Sequence, residues 1–309
     1  MCFLPMIGVY LRIIIYLCNR KQGEQSMRLI KRSYRIICAA WCCAMIAGLT
    51  ACSSQGDSAR SIMTSIEPLR YLVDQVAGSE WTTTALVPEG FSPEEYSPST
   101  QQMAELSNCM ALFTIGKLPI ETTWVPRIES SNPTLRVVDT SAGLRERGMA
   151  FDPHTWTSPA NARQIVGNIA DALCEIDHAH DTLYIYNMHR TQAAIDSLHT
   201  TLTATLADLP SRSFVIAHPA LTQFAADYGL HQIAIEADGK EPTPASLQTL
   251  ITQARDEGVR VVFVQREFAD RSARIITEQL GATLVQINPL AYDWPAEMTK
   301  IARSLKDGR

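Results

Sequence analysis

The chain has 309 residues, 46% of them apolar, with 27 Lys and Arg against 32 Asp and Glu. That length and apolar share supply a core for one large or two smaller globular domains and exclude a disordered or fibrous chain. Seven bases (Arg12, Arg20, Lys21, Arg28, Lys31, Arg32, Arg35) and one acid, Glu24, fall in the first fifty residues; the remaining 20 bases and 31 acids carry about −11, which argues against a nucleic-acid partner.

Residues 1–51 read as a signal region. From Met27 the chain runs "MRLIKRSYRIICAAWCCAMIAGLTAC", a basic start, an apolar stretch from Ile36 to Leu49, then small residues before a cysteine. The apolar stretch is too short to span a bilayer comfortably. Leu49-Thr50-Ala51-Cys52 resembles the lipobox of bacterial lipoproteins, which implies acylation at Cys52 and a protein anchored by lipid to a bacterial membrane, outside the cytoplasm and facing the periplasm. An uncleaved membrane anchor is the alternative, with the same sidedness. Residues 1–26 carry a second apolar patch, "MIGVYLRIIIYLC", that fits poorly with a signal opening at Met27, so the true start is expected there. Six of the eight cysteines (Cys2, Cys18, Cys38, Cys42, Cys43, Cys52) lie in or before the signal. Cys109 and Cys174 remain, and they read as small buried apolar residues rather than as a disulfide framework.

After a polar tether, residues 52–60, strands alternate with helices. Candidate strands are 61–66, 82–87, 110–115, 135–140, 213–218, 231–236, 260–265 and 283–288. Several are continuous apolar runs, as parallel strands covered on both faces require. The expectation is an α/β protein: an N-terminal α/β lobe over 61–180, a linking helix over 181–209 and a C-terminal α/β lobe over 210–309. The linking segment has no Gly or Pro, and Ile195, Leu198, Leu202 and Leu206 form one apolar stripe. At 1.5 Å per residue it reaches about 40 Å, longer than a single small lobe needs. An ordinary surface helix within one domain is the alternative.

Three strands of the second half end in a polar side chain: His218, Gln265 and Asn288. In open parallel sheets, ligands bind beyond the carboxyl ends of the strands, which favours His218 for function over the other histidines of that half. A hydrogen-bonded structural histidine is the competing reading.

"LVPEGFSPEEYSPST", "FDPHTWTSPANA", "FVIAHPALTQFAADYGL", "GKEPTPASL" and "VVFVQREFADRSARII" follow one another in the order and spacing of the substrate-binding lipoproteins of zinc and manganese ABC importers, and "SIEPLRYLVDQVAG" and "GKLPIETTW" agree. The chain resembles this family over roughly residues 62 to 305. The resemblance implies two lobes with parallel sheets flanked by helices, one long rigid joining helix and one divalent metal in the interlobe cleft. It also implies a non-catalytic, monomeric binding protein that hands the ion to a permease and its ATPase, in a solute-binding family that includes cell-adhesion-type members.

Carried over by motif, His154 matches the metal-binding histidine of the family's Asp-Pro-His-x-Trp, with Asp152 as an acceptor orienting the ring. By motif alone, His154 equally suits a histidine packed on Trp156. His218 matches the third ligand position. Pro93-Glu94-Glu95-Tyr96 replaces the usual Pro-His-x-Tyr, so Glu94 stands at the first ligand position; the bland alternative is a pair of solvated acids. The fourth position, usually acidic, is Asn288, a weak donor for a transition metal. With one carboxylate against a +2 ion, a second acid is expected nearby, and Glu267 and Asp293 are the candidates, against readings as surface or helix-cap residues. Two imidazoles and carboxylates favour Zn²⁺, with Mn²⁺ or Fe²⁺ as alternatives.

The family's histidine-rich loop is absent from "TSAGLRERGMA", and His178 and His180 of "DHAHD" read as a solvated helix start. His189, His199 and His231 read as structural or exposed. A zinc hydrolase and a metal-buffering lipoprotein without an importer are the other functions weighed. The chain lacks HExxH, GxSxG and phosphate-loop motifs.

Overall fold

The computed structural model describes residues 60–144, 152–236, 242–265 and 271–308. The signal region, Cys52, the tether up to residue 59 and Glu267 lie outside these residues. Among the described residues the chain forms two four-stranded parallel sheets. The first contains β1 (Ser61–Thr64), β2 (Thr82–Ala85), β3 (Ala111–Thr114) and β4 (Arg136–Asp139), in the order β2-β1-β3-β4. The second contains β5 (Ser213–Ile216), β6 (His231–Ala234), β7 (Val261–Gln265) and β8 (Thr283–Ile287), in the order β6-β5-β7-β8. Central strands β3 and β7 are buried along their whole length, whereas edge strands β2 and β4 are half exposed. Continuous apolar runs in the middle and Thr-, Arg- or Asp-containing strands at the edges are what two-sided helix cover produces.

The helices are α1 (Glu67–Ala77), α2 (Thr100–Ser107), α3 (Pro119–Ser131), α4 (Pro159–Ile176), α5 (Asp181–Thr205), α6 (Thr222–Tyr228), α7 (Pro244–Asp256), α8 (Arg271–Leu280) and α9 (Trp294–Asp307). Local chemistry sets several starts. Ser158, Thr243 and Asp293 each accept a backbone N–H of the first turn, and each is followed by a proline at one of the first two helical positions.

Helix α5 packs against α1 and α4 of the first half and against α9 of the second, so it joins the two lobes. Its inner face is longer than the apolar stripe of Ile195, Leu198, Leu202 and Leu206. Tyr184, Asn187 and Thr191 continue it toward the N-terminus, all buried, and Asn187 donates to the Val76 carbonyl at 3.0 Å. One apolar core runs through both lobes, from Ile62 and Phe113 through Ile169, Tyr184 and Leu202 to Phe214, Phe263 and Trp294. The second sheet divides its strand residues by alternation. Phe214, Ile216 and Phe263 enter that core, while Val215, Val262 and Val264 enter a smaller one beneath α7 and α8. Cys109 and Cys174 are free and partly exposed at the edge of the large core, less buried than expected.

Candidate metal centre

Three loops at the carboxyl ends of the strands converge. The loop after β2 carries Glu94, whose backbone N–H is held by the Ser92 hydroxyl at 3.2 Å. The Ile120 N–H anchors the Pro93 carbonyl at 3.2 Å, tying this loop to the start of α3. The loop after β4 carries His154. Its carbonyl accepts from both the N–H and the hydroxyl of Thr157, at 3.2 and 2.9 Å. Asp152 accepts from its N–H at 3.2 Å and faces its Nδ1 at 2.6 Å. Trp156 is completely buried and donates its indole N–H across the lobes to the Pro289 carbonyl at 2.9 Å. The residue flanking His154 therefore fastens the ligand loop to the opposite lobe.

His218 follows β5, and strand register dictates its neighbours. Ser213 pairs with His231 and Val215 with Val262; extended to His218, these registers reach Glu236 on one side and Gln265 on the other. The contacts follow suit: the Glu236 carboxylate lies 3.2 Å from His218 Nδ1, and Gln265 donates to the His218 carbonyl at 2.7 Å. This row lies where strand order reverses between β5 and β7, the place at which open parallel sheets form clefts.

Glu94, His154 and His218 each offer a donor atom within 4.8 Å of the others. His218 Nε2 is 3.0 Å from Glu94 Oε1 and 3.3 Å from His154 Nε2. In a tetrahedral zinc site with bonds of ~2.0–2.1 Å, neighbouring donors stand about 3.3 Å apart. Both imidazoles turn Nδ1 to a carboxylate, which accepts, so in its neutral form each ring carries its proton on Nδ1 and turns the Nε2 lone pair to the same point. A carboxylate and two lone pairs facing one another form a donor set that could hold a cation.

Burial pushes the pKa of His218 down, but the hydrogen bond and charge of Glu94, with the charge of Glu236, outweigh it, and the net shift is upward. Glu94 is held below the ordinary carboxylate range by its hydrogen bond to His218 against the opposing effect of burial.

Of the six candidate ligands, the structure brings these three together. Asn288 lies one residue beyond the row, because Gln265 pairs with Ile287. Its side-chain oxygen turns back to the Leu290 N–H at 3.1 Å, and Pro289 and Leu290 line the pocket in its place. Asp293 is exposed and caps α9, accepting the Ala296 N–H at 3.2 Å. Glu267 is outside the described residues. Reading from sequence singled out Gln265 but missed Glu236, although it too is the polar residue closing a candidate strand. His180 bonds Asp177 at 2.8 Å, His199 the Tyr228 hydroxyl at 3.0 Å and His231 Glu257 at 2.6 Å, away from the cluster.

Residues 62–308 match the model of the family described as ZnuA, zinc-uptake complex component A periplasmic. The high-affinity zinc uptake system protein ZnuA of Bacillus subtilis is 25% identical over 258 residues, 77% of this chain and 80% of that protein. A crystal structure of ZnuA superimposes with a TM-score of 0.77 at 31% identity, covering 81% of this chain and 98% of the other. A ZnuA deletion mutant with zinc bound gives 0.76 at 31% identity with the same coverage.

Proposed function

Since this chain belongs to the family of zinc-uptake complex component A periplasmic proteins, we propose that Glu94, His154 and His218 bind one Zn²⁺ ion and that the protein delivers it to the permease of an ABC importer driven by its ATPase. The observation that carries this reading is the meeting of one carboxylate and two Nε2 lone pairs at tetrahedral-edge spacing. Two imidazoles favour Zn²⁺ over Mn²⁺, which prefers more oxygen donors and a larger shell.

We read the protein as a carrier and not an enzyme. Asp152 and Glu236, the acids behind the imidazoles, are engaged by the ligand rings, and neither is free to act as a general base on a bound water. The setting we propose is extracytoplasmic, with the chain anchored as a monomer through an acylated Cys52. Replacing Cys52 by Ser should leave an uncleaved precursor that no longer partitions as a lipoprotein; normal cleavage and unchanged detergent partitioning would contradict the anchor.

The ligand set is tested by calorimetry on the mature chain. His154→Ala and His218→Ala should each weaken zinc at least about tenfold, roughly 1.4 kcal/mol. Glu94→Gln should do the same while leaving the fold intact. Zinc affinity unchanged in any of the three would remove that residue from the site.

A further inference from the structure

The ligand set leaves a charge imbalance. Glu94 supplies one negative charge against two positive ones, and among the described residues no second acid offers a donor atom to the cluster. Asn288 and Asp293 are committed to a turn and a helix cap. Two further carboxylates nevertheless stand one imidazole away from the ion's position, Asp152 at 2.6 Å from His154 Nδ1 and Glu236 at 3.2 Å from His218 Nδ1. With Glu94 they bring the local carboxylate charge to −3, and both ligand histidines are at most 7% exposed, so water screens this charge poorly.

Building on the ligand set proposed above, we propose that Glu236 is the positioning residue of the site. It fixes the His218 ring with Nε2 toward the ion and, with Asp152 on His154, supplies through the imidazoles the negative charge that a fourth protein ligand would otherwise bring. The β5–β6 register holds Glu236 there: the Ile235 N–H bonds the Ile216 carbonyl at 2.8 Å and the Glu236 N–H bonds the Ala217 carbonyl at 3.0 Å. A carboxylate on the far nitrogen makes the imidazole a stronger donor without adding an oxygen to the metal's own shell. The arrangement therefore raises affinity for a nitrogen-preferring ion and leaves Mn²⁺ without the oxygen donors it favours.

The test compares Glu236→Gln and Glu236→Ala with wild type in zinc and manganese titrations, together with the visible spectrum of the Co²⁺-loaded protein. Gln retains an acceptor for Nδ1–H but not the charge. Glu236→Gln should lose about tenfold or more in zinc affinity, Glu236→Ala more still, with metal-free melting temperature unchanged and manganese binding no stronger. The Co²⁺ band intensity should stay tetrahedral in Glu236→Gln, since Glu236 is not itself a ligand. Zinc affinity within about twofold of wild type in both variants would overturn the inference. A Co²⁺ spectrum that changes coordination class in Glu236→Gln would overturn it too, by making Glu236 a direct ligand. His218→Ala, run alongside, separates the two readings: if it abolishes zinc binding while Glu236→Gln is silent, only the positioning role fails, and if it binds zinc normally, the ligand set itself fails.

Discussion

His154 and His218 meet nitrogen to nitrogen at 3.3 Å, and that contact has chemical consequences at the scale of single residues. Against the opposing effect of burial, the hydrogen bond and charge of Glu94, with the charge of Glu236, raise the pKa of His218 above the ordinary imidazole value, so a proton on His218 would compete with a metal ion. Zinc binding at the proposed site would have to displace such a proton. Because the metal-free pKa is raised, competition begins above about pH 6.5 and strengthens as pH falls. Glu94, with its pKa lowered, stays ionised through the same window and adds no competing proton. Zinc binding near pH 6.5 should therefore release a proton from imidazole, measurable by calorimetry in buffers of different protonation enthalpy, and apparent affinity should fall with decreasing pH. Affinity independent of pH between about 5.5 and 7.5 would contradict the protonated His218–Glu94 pair. Glu121 presents another buried carboxylate with a structural task. Burial raises its pKa against the lowering effect of its hydrogen bonds, and it accepts the N–H groups of Ile115 and Leu118 at 2.8 and 3.1 Å, holding the turn that leads to Ile120 and the Pro93 carbonyl.

At the scale of elements, the ligand loops are kept in place by bonds that cross from one element to another. Replacing Trp156 by Phe keeps most of the buried ring but removes the donor to the Pro289 carbonyl, so it should cost about 1–3 kcal/mol of stability, read from denaturant unfolding, and loosen zinc as well. A stability loss with unchanged zinc affinity would separate the lobe fastening from the site. Gly116 gives a second case. Its φ of +94° and the Asp139 carboxylate, 2.5 Å from where a Cβ would stand, make Gly116→Ala destabilising, with a lowered melting temperature as the readout. Much at this scale is legible in sequence. Among the described residues all eight strands fall within the expected runs: central β3 and β7 as continuous apolar residues, and edge strands such as β2, TTTA, through β-branched residues beside an apolar end. The apolar half of α5 is equally visible from its spacing, but its polar half is not: Asn187 is buried where it bonds the Val76 carbonyl at the end of α1, and Thr191 is buried one turn further on, a fact of packing. His154 and His218 stand out through their motifs and their places after strands. Glu236 and Asn288 exchange importance because parallel register decides which strand-end residue stands beside His218, and register arises only when strands pair.

For the whole molecule, the lobes share one continuous core and are fastened at further points outside it. The Tyr292 hydroxyl bonds Asp74 at 2.7 Å beneath the Arg70 guanidinium, the Ser158 hydroxyl bonds Asp227, and Asn161 bonds Gln223 at 3.4 Å. Helix α5, free of Gly and Pro, offers no hinge. Metal uptake should therefore move loops and tilt helices slightly without swinging one lobe against the other. Small-angle scattering curves of the metal-free and zinc-loaded protein should nearly superimpose, and a large change in radius of gyration would count against the shared core. We propose that one zinc ion sits where Glu94, His154 and His218 meet. Anomalous diffraction at the zinc edge, on crystals of the zinc-loaded mature chain, tests it most directly. One strong peak is expected, bonded to a Glu94 carboxylate oxygen and to Nε2 of both histidines at ~2.0–2.1 Å. A peak elsewhere, or one that either imidazole reaches through Nδ1, would contradict it.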